Sequence, residues 1–489
     1  MGIVLRQSLS NTVITYVGFG IAAMNTLFLY TRFLTDEYYG LVTVILSTSA
    51  ILMPLLAFGV PNTLVKFYST FADRRNSDGF LSLMLLLPLL LILPLAVISF
   101  LAYDVIGSFL SRENPMVREY VWYIFLIGMA MAYFEIFYAW AKVQMKSVFG
   151  NFMKEVFNRI VVMVLLVMVH FEFISVPVFL KALVALYMLR AILMKVYAYR
   201  LRMPKLSFNF PSNTKSILYY STLIILGGSA AIIILEIDKF MINQFVQIEN
   251  VAYYGVAVYI ATTIIVPSRS MHQITYPITA ELLTKNDRAG LKSLYQKSSL
   301  TLFIISGLLF LLIILNLNDL YLLLPEEYRN GFIIVFFVGL AKVYDSVLGN
   351  NNSILYNSEY YRSLLAMGVL LALSIIVFNL WLIPTYGIEG AAFGTFLAIC
   401  LYNTIKLFYV RLKFNMLPFT RETLKVLVFL LFMGLVFYYV QFSFHPIINI
   451  VLKGVLITAI YTVGLYWFKL SEDVFNLISK ILGKTPPKL

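Results

Sequence analysis

Charged residues, cysteine and histidine are all scarce in this chain of 489 residues. Only 12% of the residues are charged, against about 25% in a typical soluble domain, and so few charges cannot cover the surface of a soluble protein of this size. The single cysteine, Cys400, excludes a disulfide framework and a site built from several thiolates. The three histidines lie far apart without ligand spacing, so we predict no metal site; they are His170, His272 and His445.

Long apolar runs fill the chain instead. Hydrophobic residues make up 61% of the sequence, and runs of the roughly 20 apolar residues that a membrane-spanning helix needs recur along nearly all of it. The first run is too long for the apolar core of a cleavable signal peptide, so we interpret it as the first span. We predict an all-α polytopic membrane protein with about fourteen transmembrane helices, near residues 9–31, 40–65, 79–102, 120–141, 157–174, 176–198, 217–238, 251–280, 297–316, 331–352, 363–383, 387–410, 423–441 and 446–468.

Lysine and arginine are distributed unevenly between the predicted connections. An even number of spans places both termini on one side of the membrane, and short cytoplasmic connections are enriched in these two residues. With both termini in the cytoplasm, 27 of the 37 basic residues fall on the inner side, 5 on the outer side and 5 within spans. We therefore predict cytoplasmic termini. The net charge of +13 then reflects topology and attraction to anionic membrane lipids, and it requires no nucleic-acid partner.

The two halves of the chain resemble each other. The triplet YYG opens the second predicted span at 38–40 and the eighth at 253–255, and Pro61 and Pro277 follow at similar positions. Six helices preserve membrane orientation, so we predict a parallel repeat of the kind on which many transporters are built. The long basic connection after the sixth span separates the copies. The predicted organisation is a six-helix lobe at 1–198, a cytoplasmic linker at 199–216, a six-helix lobe at 217–413, and two additional helices with a cytoplasmic tail at 414–489.

Three patches of sequence carry a family resemblance. They are YTRFLTDEYYGLVTV (30–44) followed by AFGVPNTLVKFYS (57–69); EIDKFMINQFVQIENVAYYGVAVYIA (236–261) followed by PSRSMHQITYPITAEL (267–282); and PTYGIEGAAFGT (384–395). In this order and spacing, the chain resembles the polysaccharide flippases, or O-antigen transporters, of the multidrug/oligosaccharidyl-lipid/polysaccharide exporter superfamily.

The resemblance implies two six-helix lobes around a central cavity that opens to one side of the membrane at a time. It implies that the substrate is an oligosaccharide on undecaprenyl pyrophosphate, flipped from the inner to the outer leaflet of the bacterial inner membrane for surface polysaccharide synthesis. The protein would then not be an enzyme and would need no cofactor. Its partners would be membrane lipids and possible polysaccharide polymerases.

Charges within spans are costly and often mark transport pathways. Arg269 lies deep in the eighth predicted span, where a guanidinium suits a pyrophosphate or an acidic sugar; the alternative is a structural pair with a neighbouring helix. Glu135 lies among aromatic residues in the fourth span, where it could face the cavity and bond sugar hydroxyls or be held neutral by burial. Lys342 and Asp345 share a face of the tenth span, where they form either a cavity site or a salt bridge with each other. Arg32 marks the outer mouth of the first span, where a solvated helix end is the favoured explanation and a cavity residue is the alternative.

A coupling-ion site is a further expectation. In the drug-extruding relatives, acidic groups on the seventh and tenth spans bind the coupling cation. The resemblance therefore implies possible H+ or Na+ binding by Glu236, Asp238 and Asp345, although Asp238 could instead lie at the membrane edge beside Lys239. Three asparagines at 350–352 end the tenth span, where they could bond sugar hydroxyls or cap the helix.

Three other functions compete with this interpretation. A cation-coupled multidrug exporter of the same fold would carry an acidic group in its first span, and residues 11–30 have none. A lipid II flippase would work by the same mechanism on a different sugar. A membrane glycosyltransferase or polymerase would need a large outer loop or clustered aspartates, and the sequence shows neither.

Overall fold

A computed structural model describes residues 2–71 and 74–471, and this part of the chain folds into helices without a β-strand. The helices of the first half are α1 (Gly2–Met24), α2 (Tyr30–Phe33), α3 (Asp36–Leu56), α4 (Val60–Phe67), α5 (Arg74–Leu86), α6 (Leu89–Leu101), α7 (Tyr103–Leu110), α8 (Val121–Val143), α9 (Val148–Phe152), α10 (Asn158–His170), α11 (Val176–Leu201), α12 (Thr214–Phe245) and α13 (Glu249–Thr262). Those of the second half are α14 (Val266–Thr284), α15 (Arg288–Leu322), α16 (Phe332–Val347), α17 (Asn351–Tyr356), α18 (Tyr361–Phe414), α19 (Arg421–Tyr438) and α20 (Pro446–Trp467).

The predicted all-helical membrane fold is confirmed. Within the described residues, nine helical stretches are long and apolar enough to cross a bilayer, and each of the fourteen predicted spans overlaps a helix. Helix α18 has 54 residues and covers two predicted spans. The two spans are separated at Gly387, whose φ of 58° and ψ of −137° interrupt the helical conformation. A positive φ costs glycine little, which explains its presence at this turn. The count of fourteen stays a prediction.

The second predicted span, 40–65, is divided by a sharp turn. Phe58 (φ 50°) and Gly59 (φ 65°) adopt left-handed conformations between α3 and α4. The turn is held from the neighbouring helix, since the Thr63 hydroxyl lies 2.7 Å from that of Ser221 on α12. Ala57 and Gly59 of this turn line the charged cavity described below.

The described chain forms two compact units. The first comprises residues 1–255 with 372–391, and the second comprises 256–371 with the described part of 392–489. In the first unit α8 is central and packs on α3, α4 and α11; in the second α15 packs on α14, α16, α19 and α20. The lobe and linker boundaries given by the sequence repeat stay predictions.

The two YYG triplets make comparable contacts in the first unit. The second tyrosine of each triplet reaches back to the preceding predicted span: Tyr39 donates to the Thr26 carbonyl (3.3 Å), and Tyr254 donates to the Asp238 carboxylate (2.5 Å). The two turns also touch, because the Tyr253 hydroxyl bonds the carboxylate of Asp36. In both triplets the second tyrosine thus contacts the preceding predicted span, but only Tyr254 bonds a charged group.

Candidate functional site: a charged cavity in the first unit

A cavity of about 230 Å³ lies in the first unit between the α3–α4 turn, α8 and α12. Its apolar wall is formed mainly by α3, α4 and isoleucines of α12, and its polar lining consists of Asn62, Glu135, Lys142 and Lys154. Glu135 and Lys142 are seven residues apart on α8, which is about two helical turns, so both project from one face. Lys154 belongs to the π-helical segment Met153–Phe157 that precedes α10.

The lining of this cavity carries a net positive charge. Glu135 Oε1 lies 2.6 Å from Lys154 Nζ, and the two side chains are 20% and 44% exposed. The Lys142 ammonium lies 3.9 Å from the centre of the Tyr138 ring, a cation–π contact. Two lysines against one glutamate leave one positive charge in excess. Both lysines are exposed to the cavity, so this excess is accessible to an anionic ligand.

A third cation lies behind the cavity. Arg190 on α11 is only 7% exposed, and its guanidinium carbon lies 4.3 Å from the Phe134 ring centre and 4.7 Å from that of Tyr187. Its Nε atom has no hydrogen-bond partner among the described residues. The charges of Lys154, Lys142 and Arg190 all attract the Glu135 carboxylate. Arg190 also attracts Glu155, which is paired with Arg159 at 3.0 Å, so Glu135 is the acid that connects Arg190 to the cavity lysines.

The predicted cavity residues of the second unit have different surroundings. Arg269 on α14 is exposed, and the structure shows no ion pair of this residue within the described ranges. The Asp345 carboxylate lies 3.8 Å from Nζ of the fully buried Lys406, whose ammonium also donates to the side chain of Asn352 (2.9 Å). Lys342 is half-buried on the helix of Asp345.

Two predicted site residues of the first unit differ in exposure from Glu135. Arg32 is exposed at the end of α2. Asp238 is buried on α12 and accepts hydrogen bonds from Tyr254 (2.5 Å) and from the side-chain amide of Asn379 (2.7 Å). Its neighbour Glu236 instead forms an ion pair with Lys239, 2.8 Å away. The Asp238 carboxylate is therefore a buried hydrogen-bond acceptor that links α12 to α13 and α18, rather than a solvated group at the membrane edge.

The three asparagines at 350–352 bond other side chains of the second unit. Asn350 donates to Thr279 (2.8 Å), Asn351 donates to the Tyr295 hydroxyl (2.7 Å), and Asn352 accepts from Lys406. The amides thus join α14, α15 and α18. Neither sugar recognition nor helix capping is needed to explain this run.

Sequence reasoning predicted Glu135 as a residue of a central substrate cavity, which stays a prediction, and it missed the partners that Glu135 has in the cavity of the first unit. Lys142 and Lys154 were counted only as topological charges, because they lie in a basic connection. The seven-residue spacing of Glu135 and Lys142 was a signal that could have identified the first of them. No sequence signal points to Lys154, because the π-helical turn sets its direction. Within 2–71 and 74–471, no group of three or more His, Cys, Asp or Glu residues could hold a metal ion.

Comparisons with known proteins agree with this architecture. The family model described as "Polysaccharide biosynthesis protein" matches residues 4–283, more than half of the chain. No curated protein sequence matches the chain. Among solved structures, the chain is similar to "Lipid II flippase MurJ, inward closed conformation", with a TM-score of 0.76, 14% identity, and coverage of 96% of this chain and 100% of that one.

Two further structures show the same fold at greater distance. One is an inward-facing multidrug resistance MATE family transporter of the MOP superfamily, with a TM-score of 0.58, 12% identity, and coverage of 83% of this chain and 94% of that one. The other is a MOP superfamily transporter from Pyrococcus furiosus, with a TM-score of 0.51, 13% identity, and coverage of 86% and 94%. At these identities the likeness shows the fold, and the family match identifies this chain as a member of the polysaccharide biosynthesis protein family.

Proposed function

We propose that this protein is a flippase that moves undecaprenyl-pyrophosphate-linked oligosaccharide from the inner to the outer leaflet of the bacterial inner membrane by alternating access. The observation that carries the proposal is the excess of cations in the cavity of the first unit. Membership of the polysaccharide biosynthesis family and the fold shared with a lipid flippase support it.

The cavity suits the charged part of such a substrate. A pyrophosphate bridge between a lipid and a sugar carries two negative charges, and the attraction between two unit charges 4 Å apart near a protein surface is about 4 kcal/mol. Lys142 and Lys154 offer ammonium donors, while Asn62 offers an amide that can bond sugar hydroxyls. In the predicted topology both lysines face the cytoplasm, where lipid-linked sugars would enter. The polyprenyl tail would remain in the bilayer.

Arg269 is the residue of the second unit that we propose contacts the substrate. Its exposed guanidinium on a span-length helix is costly in lipid, so it would face the aqueous pathway and contact the diphosphate during transport. We further propose that Asp238 belongs to a coupling site for H+ or Na+, because it is a buried carboxylate beside Asn379, whose side-chain oxygen is buried without a partner among the described residues. Glu236 and Asp345 would take part only after leaving Lys239 and Lys406.

The competing functions differ in the ligand that they require. A multidrug exporter for cationic compounds would need an acidic cavity, and the lining described here has the opposite charge. A lipid II flippase would use the same diphosphate chemistry with another sugar, and the likeness to one such protein keeps this candidate in the test. A membrane glycosyltransferase would change the substrate chemically rather than move it.

Flipping of a fluorescent undecaprenyl-pyrophosphate oligosaccharide in proteoliposomes tests the proposal. We expect wild-type protein to flip it, and the Lys142→Gln/Lys154→Gln variant to flip it at least about tenfold more slowly, because two charge-assisted contacts are lost. Arg269→Ala should slow flipping without lowering stability. Lys285→Gln is the matched control, since Lys285 forms an equally short ion pair (2.6 Å to Glu281) outside the cavity.

Parallel measurements separate the alternatives. Efflux of a cationic dye without flipping would establish a drug exporter, and faster flipping of lipid II than of other lipid-linked sugars would establish a lipid II flippase. A chemically altered lipid product would establish an enzyme. Repeating the assay with imposed sodium and proton gradients tests the coupling site, because Asp238→Asn should abolish any dependence on either gradient.

A further inference from the structure

The ion pair between Glu135 and Lys154 blocks the position where an anion would bind. Glu135 Oε1 lies 2.6 Å from Lys154 Nζ, a short charge-assisted contact, and Glu135 is the only acid among the residues that line the cavity in the described chain. An anionic headgroup that binds Lys154 must therefore displace a carboxylate that is already there.

A second position for the displaced carboxylate is available within the same unit. Arg190 is 93% buried, and its Nε donor has no hydrogen-bond partner in the described part of the chain. Its charge attracts both Glu135 and Glu155, but Glu155 is already paired with Arg159 at 3.0 Å. A buried donor without a partner is energetically costly, so a carboxylate that moves towards it gains a compensating bond. Glu135 is thus paired with Lys154 and has a second possible partner in the unbonded Nε of Arg190.

We propose that Glu135 is an internal competitor of the anionic headgroup: it binds Lys154 in the empty cavity, moves towards Arg190 when the diphosphate enters, and returns to Lys154 to expel the diphosphate. This inference rests on the proposed function and adds to it the device that releases the substrate. The carboxylate lowers affinity because it must be displaced and because it repels the bound anion. It speeds release for the same reasons, and a transporter that binds its substrate too tightly in one state turns over slowly.

The substitution Glu135→Gln tests this inference, because it should change the affinity in the opposite direction from that of most cavity substitutions. Removing a charged member of a binding cavity usually weakens binding, whereas here it should tighten binding of undecaprenyl pyrophosphate by about tenfold and slow flipping. Lys154→Gln should weaken binding and slow flipping as well. Glu135→Asp keeps the charge, and so should stay close to wild type in affinity. Arg190→Met should leave the displaced carboxylate without its second partner and so weaken binding.

Binding is measured by thermophoresis of the purified full-length protein in detergent, with undecaprenyl pyrophosphate as the probe and undecaprenol as its uncharged counterpart. Glu281→Gln is the matched control, because the Glu281–Lys285 pair has the same 2.6 Å length but lies outside the cavity and is mostly exposed. We expect tighter binding in Glu135→Gln alone, and flipping measured on the same samples should fall in that variant.

The outcomes separate the two proposals. Equal or weaker diphosphate binding by a folded Glu135→Gln variant would overturn the competitor role and leave the flippase proposal in place. If wild-type protein does not prefer undecaprenyl pyrophosphate to undecaprenol, the proposed function itself fails. If Glu135→Gln does not fold, Glu135→Asp and Arg190→Met decide the question. The competitor role is overturned if Arg190→Met binds the diphosphate as wild type does, or if Glu135→Asp binds it at least about tenfold more weakly.

Discussion

Removing the Tyr254 hydroxyl by Tyr254→Phe should destabilise the first unit measurably. This hydroxyl donates to the buried carboxylate of Asp238 at 2.5 Å, in a contact 16 residues apart that ties α13 to α12. Phenylalanine fills the same space, so the substitution removes the hydrogen bond and creates almost no cavity. The carboxylate retains its bond from Asn379.

The expected loss can be bounded from two sides. Hydrogen bonds to charged groups contribute about 1.5–3 kcal/mol in soluble proteins. Side-chain hydrogen bonds between membrane helices average about 0.6 kcal/mol and reach about 1.7 kcal/mol. The Tyr254 bond is short and charge-assisted, so we expect a loss of about 1.5 kcal/mol in the free energy of unfolding, at the top of the membrane range.

The equivalent tyrosine of the first triplet supplies the control. Tyr39 is equally buried, but its hydroxyl donates to a neutral carbonyl at 3.3 Å, beyond the normal O–H···O range. Tyr39→Phe should therefore cost about 0.5 kcal/mol or less. Both free energies are measured by titrating SDS into detergent micelles and following helicity. A double-mutant cycle of Tyr254→Phe with Asp238→Asn should show coupling; additive losses, or a Tyr39→Phe loss as large as that of Tyr254→Phe, would refute the reasoning.

Two further predictions concern packing and topology. Gly40→Ala should lower the unfolding midpoint, because an added methyl group would overlap the backbone of the turn before α13. Gly20→Ala is the control, since open space surrounds Gly20, and it should leave the midpoint unchanged or raise it. Equal midpoints for the two variants would contradict this packing. In a Cys400→Ser background, a cysteine replacing Glu113 should react with a membrane-impermeant maleimide in intact cells, and one replacing Asn209 should react only after permeabilisation. The reverse labelling pattern would invert the predicted topology.

Part of the site was predictable because its cause is local. A charged residue in an apolar run stands out in the sequence, and so Glu135 was a candidate cavity residue before its contacts were known. Helical periodicity could also have predicted Lys142, since its spacing of seven residues from Glu135 places both side chains on one face of a helix. The sequence predicted Asp238 either as a coupling-ion residue or as an acid at the membrane edge, but its donor Asn379 is 141 residues away along the chain. No local pattern encodes such a pairing.

The sequence by itself determined the class of the protein and the positions of its helices. In a bilayer every backbone polar group must be hydrogen-bonded within the protein, and a helix achieves this within a single apolar run of about 20 residues. Tertiary structure alone decided which charges of the spans and of their connections meet. The left-handed turn at Phe58 and Gly59 contributes to the cavity wall, Lys154 reaches Glu135 from the π-helical turn, and packing buries Arg190 behind them. These outcomes depend on how helices distant in sequence pack, because a charge inside the membrane takes its role from the groups around it.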